Sequence, residues 1–88
     1  MTLRLRGGVS LVETEYGVVL LDEDSGEYWN LNPTGAQVLR TMLAGGTAAR
    51  AAEELTGDYA VDHDSATRDV RELLDALRSA RLVTEAAA

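Results

Sequence analysis

The sequence predicts an α+β domain in which a small antiparallel sheet comes first and three helices follow. Apolar and polar residues alternate over residues 9–14, and a fully apolar run follows at 18–21, with turn residues after each segment. In the second half of the chain, apolar residues recur at helical spacing. A three-stranded sheet followed by three helices, the last two joined by a short link, is the arrangement of a winged helix-turn-helix with its sheet at the N-terminus.

Length and composition predict a single domain over residues 1–88, because a chain of this size has too little apolar surface for a second core. The net charge of −7 repels phosphate backbones, so nucleic acid is a poor candidate partner. Without cysteine there is no disulfide, no thiolate nucleophile and no zinc-thiolate site. No apolar run approaches the roughly 20 residues of a membrane span. We therefore expect a cytoplasmic protein that does not contact membranes.

Three strands joined by tight turns are predicted to form a meander. Residues 3–6 alternate but are interrupted by Gly7 and Gly8, so they form either a short extra strand or a frayed arm. The strands of the meander are predicted at 9–14, 18–21 and 27–31, and the acidic loop at 22–26 reads as a solvated turn. Tyr28 and Trp29 are adjacent, so their rings must point to opposite faces of the sheet. A meander also leaves the outer edges of its first and last strands unpaired.

Capping residues mark the three predicted helices. Asn32 as N-cap and Pro33 at the first position begin a helix that runs to about residue 44. Thr47 caps a second helix over 48–56, which Gly57 is predicted to end. The third helix begins at a cap on Asp62 or Asp64 and runs to about residue 80. Its apolar stripe consists of Ala66, Val70, Leu73, Leu74, Leu77 and Ala80. Residues 82 and 83 are predicted to pack back as an extended tail, with 84–88 frayed.

An inventory of reactive side chains predicts no enzyme. His63 is the only imidazole, and it lies at a helix start between Asp62 and Asp64, where adjacent side chains do not converge on one metal ion. No nucleophile, base and orienting group are brought together by the predicted elements. We therefore expect no catalytic residue, no metal and no cofactor.

Two binding functions fit the predicted fold. A small winged-helix DNA-binding regulator would need a basic third helix, yet residues 62–81 hold five acids against four arginines. Peptide binding fits better, because an extended segment can add as a further strand to an unpaired edge, and Tyr28 and Trp29 are anchors of the kind such interfaces use. Where the apolar stripe of the third helix is exposed, it would form the second wall of the peptide-binding site. Where other elements cover the stripe, its residues belong to the core.

One stretch also resembles a known family. The run from Gly26 to Gly35 (GEYWNLNPTG), an alanine-rich second helix, Tyr59 and the third-helix stripe resemble the PqqD-like family over about residues 9–83. Members of this family recognise precursor peptides that are made ribosomally and then modified. A free-standing copy of this size looks most like the leader-binding proteins of lasso-peptide pathways.

The resemblance implies a non-catalytic adaptor with a defined site. A leader peptide would pair antiparallel with the third strand and lie against the third helix. The adaptor would deliver it to a separate leader-cleaving cysteine protease, with a cyclase closing the ring afterwards. The predicted leader-binding residues are Glu27, Tyr28, Trp29, Asn30, Leu31, Asp69, Val70, Leu73, Leu74 and Leu77. The sequence leaves open whether the Trp29 ring faces the leader, the protease or the core. Oligomeric state is also open, because a free edge can pair with a second copy.

Overall fold

A computed structural model describes residues 2–86, which form five strands and three helices. In chain order these are β1 (Thr2–Leu5), β2 (Val9–Thr14), β3 (Gly17–Asp22), β4 (Tyr28–Leu31), α1 (Pro33–Leu43), α2 (Ala48–Asp58), α3 (His63–Ser79) and β5 (Val83–Ala86). The predicted α+β fold, with an N-terminal antiparallel sheet before three helices, is confirmed.

The meander predicted from the apolar pattern is the three-stranded sheet β2-β3-β4, with β3 in the middle. Both pairings are antiparallel, and β3 sets Val18 opposite Leu31 and Leu21 opposite Tyr28. The last strand begins at Tyr28, one residue later than predicted. The reason is the turn, in which Gly26 takes a positive φ of 78° and its N–H donates to the Asp22 carbonyl. The Glu27 N–H then donates to the Ser25 hydroxyl, so Glu27 bonds to β3 through its carbonyl alone.

The two ends of the described chain pair with each other, which confirms the short extra strand as the alternative for residues 3–6 and corrects the predicted fraying at 84–86. β1 and β5 form a second, two-stranded antiparallel sheet in which Leu3 lies opposite Glu85 and Leu5 opposite Val83. Leu3 and Val83 are buried, so this pairing covers apolar surface that neither segment could cover alone. Predicted fraying at residues 87 and 88 lies outside the described residues.

Arg6 connects this second sheet to the meander. Its Nε donates to the carbonyl of Arg81 at 2.6 Å, just before β5, and its guanidinium forms an ion pair with Asp22 at 2.8 Å, at the end of β3. Desolvation opposes the charged form of the Asp22 carboxyl, but hydrogen bonds from the N–H groups of Asp24 and Ser25 and from the Arg6 guanidinium together hold its pKa below the usual value. The position of β3 is thereby linked to the two chain ends.

Helix starts follow the predicted caps. Asn32 accepts the N–H of Gly35 at 2.8 Å, and Asp62 accepts the N–H of Ser65 at 2.9 Å. The bonds from the Ser65 N–H and hydroxyl keep the pKa of the Asp62 carboxyl below its usual value. α2 runs to Asp58, two residues beyond the predicted end. Gly57 is exposed with open space around it, so this glycine is accommodated in the last turn.

Helix α1 packs against β3 and β4, α2 packs against α1 and α3, and α3 also contacts β5, so that these elements enclose a single apolar core. Its members come from both sheets and all three helices, and Leu20, Leu39 and Leu82 are its largest fully buried side chains along with Val18 and Val70. Within residues 2–86, no helix is long and apolar enough to cross a membrane. The outer edge of β4 lies at one border of this layered structure, next to the start of α1.

Candidate functional site

The candidate site begins at the free edge of β4. In the sheet order β2-β3-β4, one side of β4 pairs with β3, and no strand of residues 2–86 pairs with the other side. An unpaired edge presents a row of backbone donors and acceptors to solvent. The central expectation from the sequence, a vacant edge on the strand that carries Tyr28 and Trp29, therefore agrees with the described structure.

The register identifies which backbone groups of β4 are free. Asp22 N–H donates to the carbonyl of Glu27 at 2.8 Å, so the backbone groups of Glu27 and of every second residue after it point towards β3. Trp29 and Leu31 thus use their N–H and C=O within the sheet. Tyr28 and Asn30 point theirs outward. Two residues with one donor and one acceptor each leave four groups for a guest strand.

The same register assigns the two aromatic rings to faces of the sheet. Trp29 lies opposite Leu20, which is fully buried beneath the helices, and residues opposite each other in an antiparallel pair share a face. Trp29 therefore faces the helical side, where its position at the border leaves it 41% exposed. Tyr28 lies opposite Leu21 on the outer face and is 66% exposed. The Trp29 ring is therefore not buried in the core, and the leader and the protease remain as the two surfaces that it could face.

A groove of about 360 Å³ continues from the end of β4 between the helices. It is lined by the start of α1, the end of α2, the link after α2 and one side of α3; its apolar lining residues are Gly35, Val38, Leu55, Val61 and Leu73, and its polar ones are Asn32, Thr34 and Asp69. This volume is at the lower end of the roughly 300–1,000 Å³ typical of ligand pockets. The groove therefore suits one large side chain of an extended chain.

Gly35 joins the strand edge to the groove. A Cβ on this residue would lie 3.6 Å from Leu73 Cδ2 and 3.7 Å from Leu31 Cβ, with Asn32 Oδ1 at 3.2 Å. Glycine here leaves open a space between the end of β4 and the side of α3. Leu31 and Leu73 therefore flank Gly35 at the point where the end of β4 meets the groove.

The predicted residues of α3 divide into two groups. Asp69 is exposed and Leu73 is half-buried, and both line the groove. Val70, Leu74 and Leu77 are 1%, 3% and 2% exposed and belong to the core. The groove thus brings Asp69 and Leu73 close to Asn32 and Gly35, just after β4, whereas the other three side chains are almost entirely buried.

Several groove residues were absent from the sequence prediction. Gly35 ends the Gly26–Gly35 run that resembles the family, but no binding role was predicted for it. Val38, Leu55 and Val61 come from α1, α2 and the link after it, and no sequence spacing relates them to β4. Only the packing of three helices against one another brings them to one place.

The described residues contain neither a metal-binding cluster nor a basic third helix. Across residues 2–86 there is no group of three or more histidine, aspartate and glutamate side chains that could hold a metal ion. The alternative of a DNA-binding regulator has no support, since the exposed surface of α3 carries Asp64, Asp69, Glu72 and Asp75 among its arginines.

The fold and the free edge together define a class of small winged-helix domains that offer a strand edge, rather than a basic helix, to a partner. The family model described as coenzyme PQQ synthesis protein D (PqqD) matches residues 17–83, which include β3, β4 and all three helices. The chain belongs to the PqqD family. No curated protein matches it.

Two solved structures are similar to this chain over at least 97% of its length. One is lasso peptide synthetase B1 complexed with the leader peptide, at 39% identity and a TM-score of 0.90, covering 97% of this chain and 100% of that chain. The other is TbiB1 in complex with the TbiA(beta) leader peptide, at 25% identity and a TM-score of 0.83, covering 100% of both chains.

Proposed function

We propose that this protein is a non-catalytic adaptor that binds the leader of a ribosomally synthesised precursor peptide and delivers it to a leader peptidase in lasso-peptide maturation. The leader adds as a strand along the outer edge of β4. The observation that carries the proposal is that edge, on which the N–H and C=O groups of Tyr28 and Asn30 point away from β3. The two similar solved structures support it, because both are complexes with leader peptides.

Backbone pairing supplies affinity, and the groove supplies register. A guest strand beside β4 directs every second side chain to the helical face, where Trp29, Leu31 and Leu73 present apolar surface. A large apolar side chain of the guest enters the groove between α1 and α3. Asp69 at the rim favours a donor or a cation on the neighbouring part of the guest.

The adaptor acts by concentrating the leader near a separate enzyme. The partners proposed are a leader-cleaving cysteine protease and, after it, a cyclase. If the protein holds the leader and contacts the protease at the same time, cleavage becomes effectively intramolecular, and a link of this kind gains about 10²–10⁴ in apparent affinity. The chemistry then belongs to the partners, and this chain contributes binding and orientation.

The sole tryptophan provides a direct test. Trp29 is the only tryptophan of the chain and lies at the proposed site, 41% exposed. A synthetic leader of a lasso-peptide precursor that contains no tryptophan should shift the Trp29 emission to shorter wavelength in a saturable titration. A scrambled leader of the same composition is the control. Equal changes with the two peptides, or none with either, would contradict the proposal.

A further inference from the structure

The guanidinium of Arg6 joins segments that are far apart in the chain. Its Nε donates to the carbonyl of Arg81 at 2.6 Å, just after α3, and its Nη2 forms an ion pair with Asp22 at 2.8 Å, at the end of β3. Its Nη1 donates to the carbonyl of Gly7 at 3.0 Å. The Arg6 side chain is 29% exposed and that of Asp22 is 15% exposed, so both partners are largely withdrawn from water. Arg6 therefore connects the end of α3 to the end of β3.

Asp22 extends this connection to the start of β4. Its carboxylate accepts the N–H groups of Asp24 at 3.0 Å and of Ser25 at 3.4 Å. Its backbone N–H donates to the carbonyl of Glu27, and its carbonyl accepts the N–H of Gly26, both at 2.8 Å. The β3–β4 loop is thus organised around Asp22, and β4 begins at the residue that follows the loop.

Arg81 has a backbone conformation that suits its contact with Arg6. Its φ of 58° lies in the left-handed region, which costs free energy for a residue other than glycine and persists only where the surrounding structure imposes it. The N–H of Leu82 donates to the carbonyl of Leu77 at 3.0 Å, so this left-handed turn closes the end of α3. The Arg81 carbonyl is thereby left free to accept the Arg6 Nε–H. The end of the helix that borders the groove is therefore held by Arg6.

We propose that Arg6 is a positioning residue for the leader site, and that it sets the separation between β4 and α3 before a leader binds. This inference rests on the proposed leader-binding function and deepens it. At the last residue of β4, Leu31 and Leu73 flank Gly35, so strand and helix are already joined by packing. At the first residue of β4, the connection to α3 runs through Asp22 and Arg6. A guest strand along β4 thus meets a site that is fixed at both ends.

A site that is fixed in advance gives up less conformational freedom on binding, so more of the interaction with the guest appears as affinity. Without the Arg6 guanidinium, the leader itself would have to order the β3–β4 loop and the outward backbone groups of Tyr28. Ordering about one backbone residue lowers an affinity roughly fivefold or more. Lysine keeps the charge, but its single ammonium group cannot reproduce the planar fork that contacts Arg81 and Asp22 together.

Arg6→Lys is the test variant, and Arg40→Lys is its matched control. Arg40 also joins the meander to a helix, because its Nε donates to Glu13 at 3.2 Å and its Nη2 pairs with the same carboxylate. Glu13 lies on β2, the strand furthest from β4 in the sheet. Calorimetry with a synthetic leader of a lasso-peptide precursor, at a temperature where melting curves show folded protein, should give an affinity about fivefold or more weaker for Arg6→Lys and within about twofold for Arg40→Lys.

Asp22→Asn interrupts the same connection from the other side and should weaken leader binding to a similar extent. Because Arg6 and Asp22 act through one contact, combining Arg6→Lys with Asp22→Asn should lower the affinity by no more than about twofold beyond the weaker single variant. Asp22→Asn also provides the decisive measurement if Arg6→Lys does not fold.

Amide hydrogen exchange separates positioning from a general loss of stability. With free leader at the same multiple of each dissociation constant, Arg6→Lys should lower the protection of the Tyr28 N–H about fivefold or more, and that of the Asn30 N–H by less than about twofold. Equal losses at the two amides, or unweakened leader binding by Arg6→Lys and Asp22→Asn, would overturn the role of Arg6 alone. Failure of the unmodified protein to bind the leader would contradict the proposed function, and this inference with it.

Discussion

Replacing Asn30 by proline should separate strand addition from side-chain recognition. The N–H of Asn30 points away from β3, so its loss leaves the β3–β4 ladder intact, and proline is tolerated on an edge strand when its missing donor faced solvent. A guest strand would no longer receive a hydrogen bond from residue 30, and its own carbonyl at that position would stay unpaired, which costs about 1–3 kcal/mol of binding free energy. The leader affinity should therefore fall by about 5- to 150-fold.

Two control variants complete this experiment. Asn30→Ala removes the side chain but keeps the outward N–H, so leader affinity should change by less than about threefold. Trp29→Pro removes an N–H that bonds to β3 and should lower the stability of the fold itself. Calorimetric titration gives the affinities, and thermal unfolding by circular dichroism monitors the fold. Equal affinity losses for Asn30→Pro and Asn30→Ala in folded protein would refute backbone pairing at this edge.

Further predictions concern the groove, the core, the end of β4 and one helix cap. Leu73→Ala should weaken leader binding about 5- to 30-fold in titrations, because the side chain lines the groove, with only a small drop in melting temperature. Leu74→Glu should unfold the domain in circular dichroism, since it buries a charge at a position that is 3% exposed; a folded variant with weakened binding would instead place Leu74 in the site. Gly17→Ala should cost about 1–3 kcal/mol or more in urea unfolding, because φ is 147° and the new Cβ would lie 2.0 Å from the Leu31 carbonyl oxygen; unchanged stability would contradict this packing. The Asp62 carboxyl has a lowered pKa in the folded state. Its contribution to the free energy of unfolding is therefore fully present above the ordinary pKa of about 3.9 and is lost as the pH falls through the pKa of the folded state. Melting curves of Asp62→Ala should therefore approach those of the unmodified protein at low pH, and a constant difference down to pH 2 would contradict the cap.

Local signals were sufficient for much of the fold. The Asn32 and Asp62 caps depend on side chains within three residues of the N–H groups they bind, so the sequence alone predicts them. Alternation and turns likewise predict the meander. The pairing of β1 with β5 depends on residues about 80 positions apart, such as Leu3 with Glu85, and no local pattern reports such a contact.

The site was predicted less completely, for two physical reasons. A helical stripe is wide enough to include Leu73 together with Val70 and Leu74, and only the packed neighbours decide that Leu73 borders a groove while the other two are buried. The face of Trp29 follows from its pairing with Leu20. Strand alternation predicts that neighbouring rings diverge, but register is needed to say which ring faces the helices.

Amide hydrogen exchange with and without the leader tests the central proposal most directly. The amides of Tyr28 and Asn30 point outward and should exchange fast in the free protein, whereas those of Trp29 and Leu31 bond to β3 and should already be protected. Saturating leader peptide should slow exchange at Tyr28 and Asn30 by a large factor and change Trp29 and Leu31 little. Unaltered exchange at both outward amides, in a sample whose leader is fully bound, would contradict strand addition to β4.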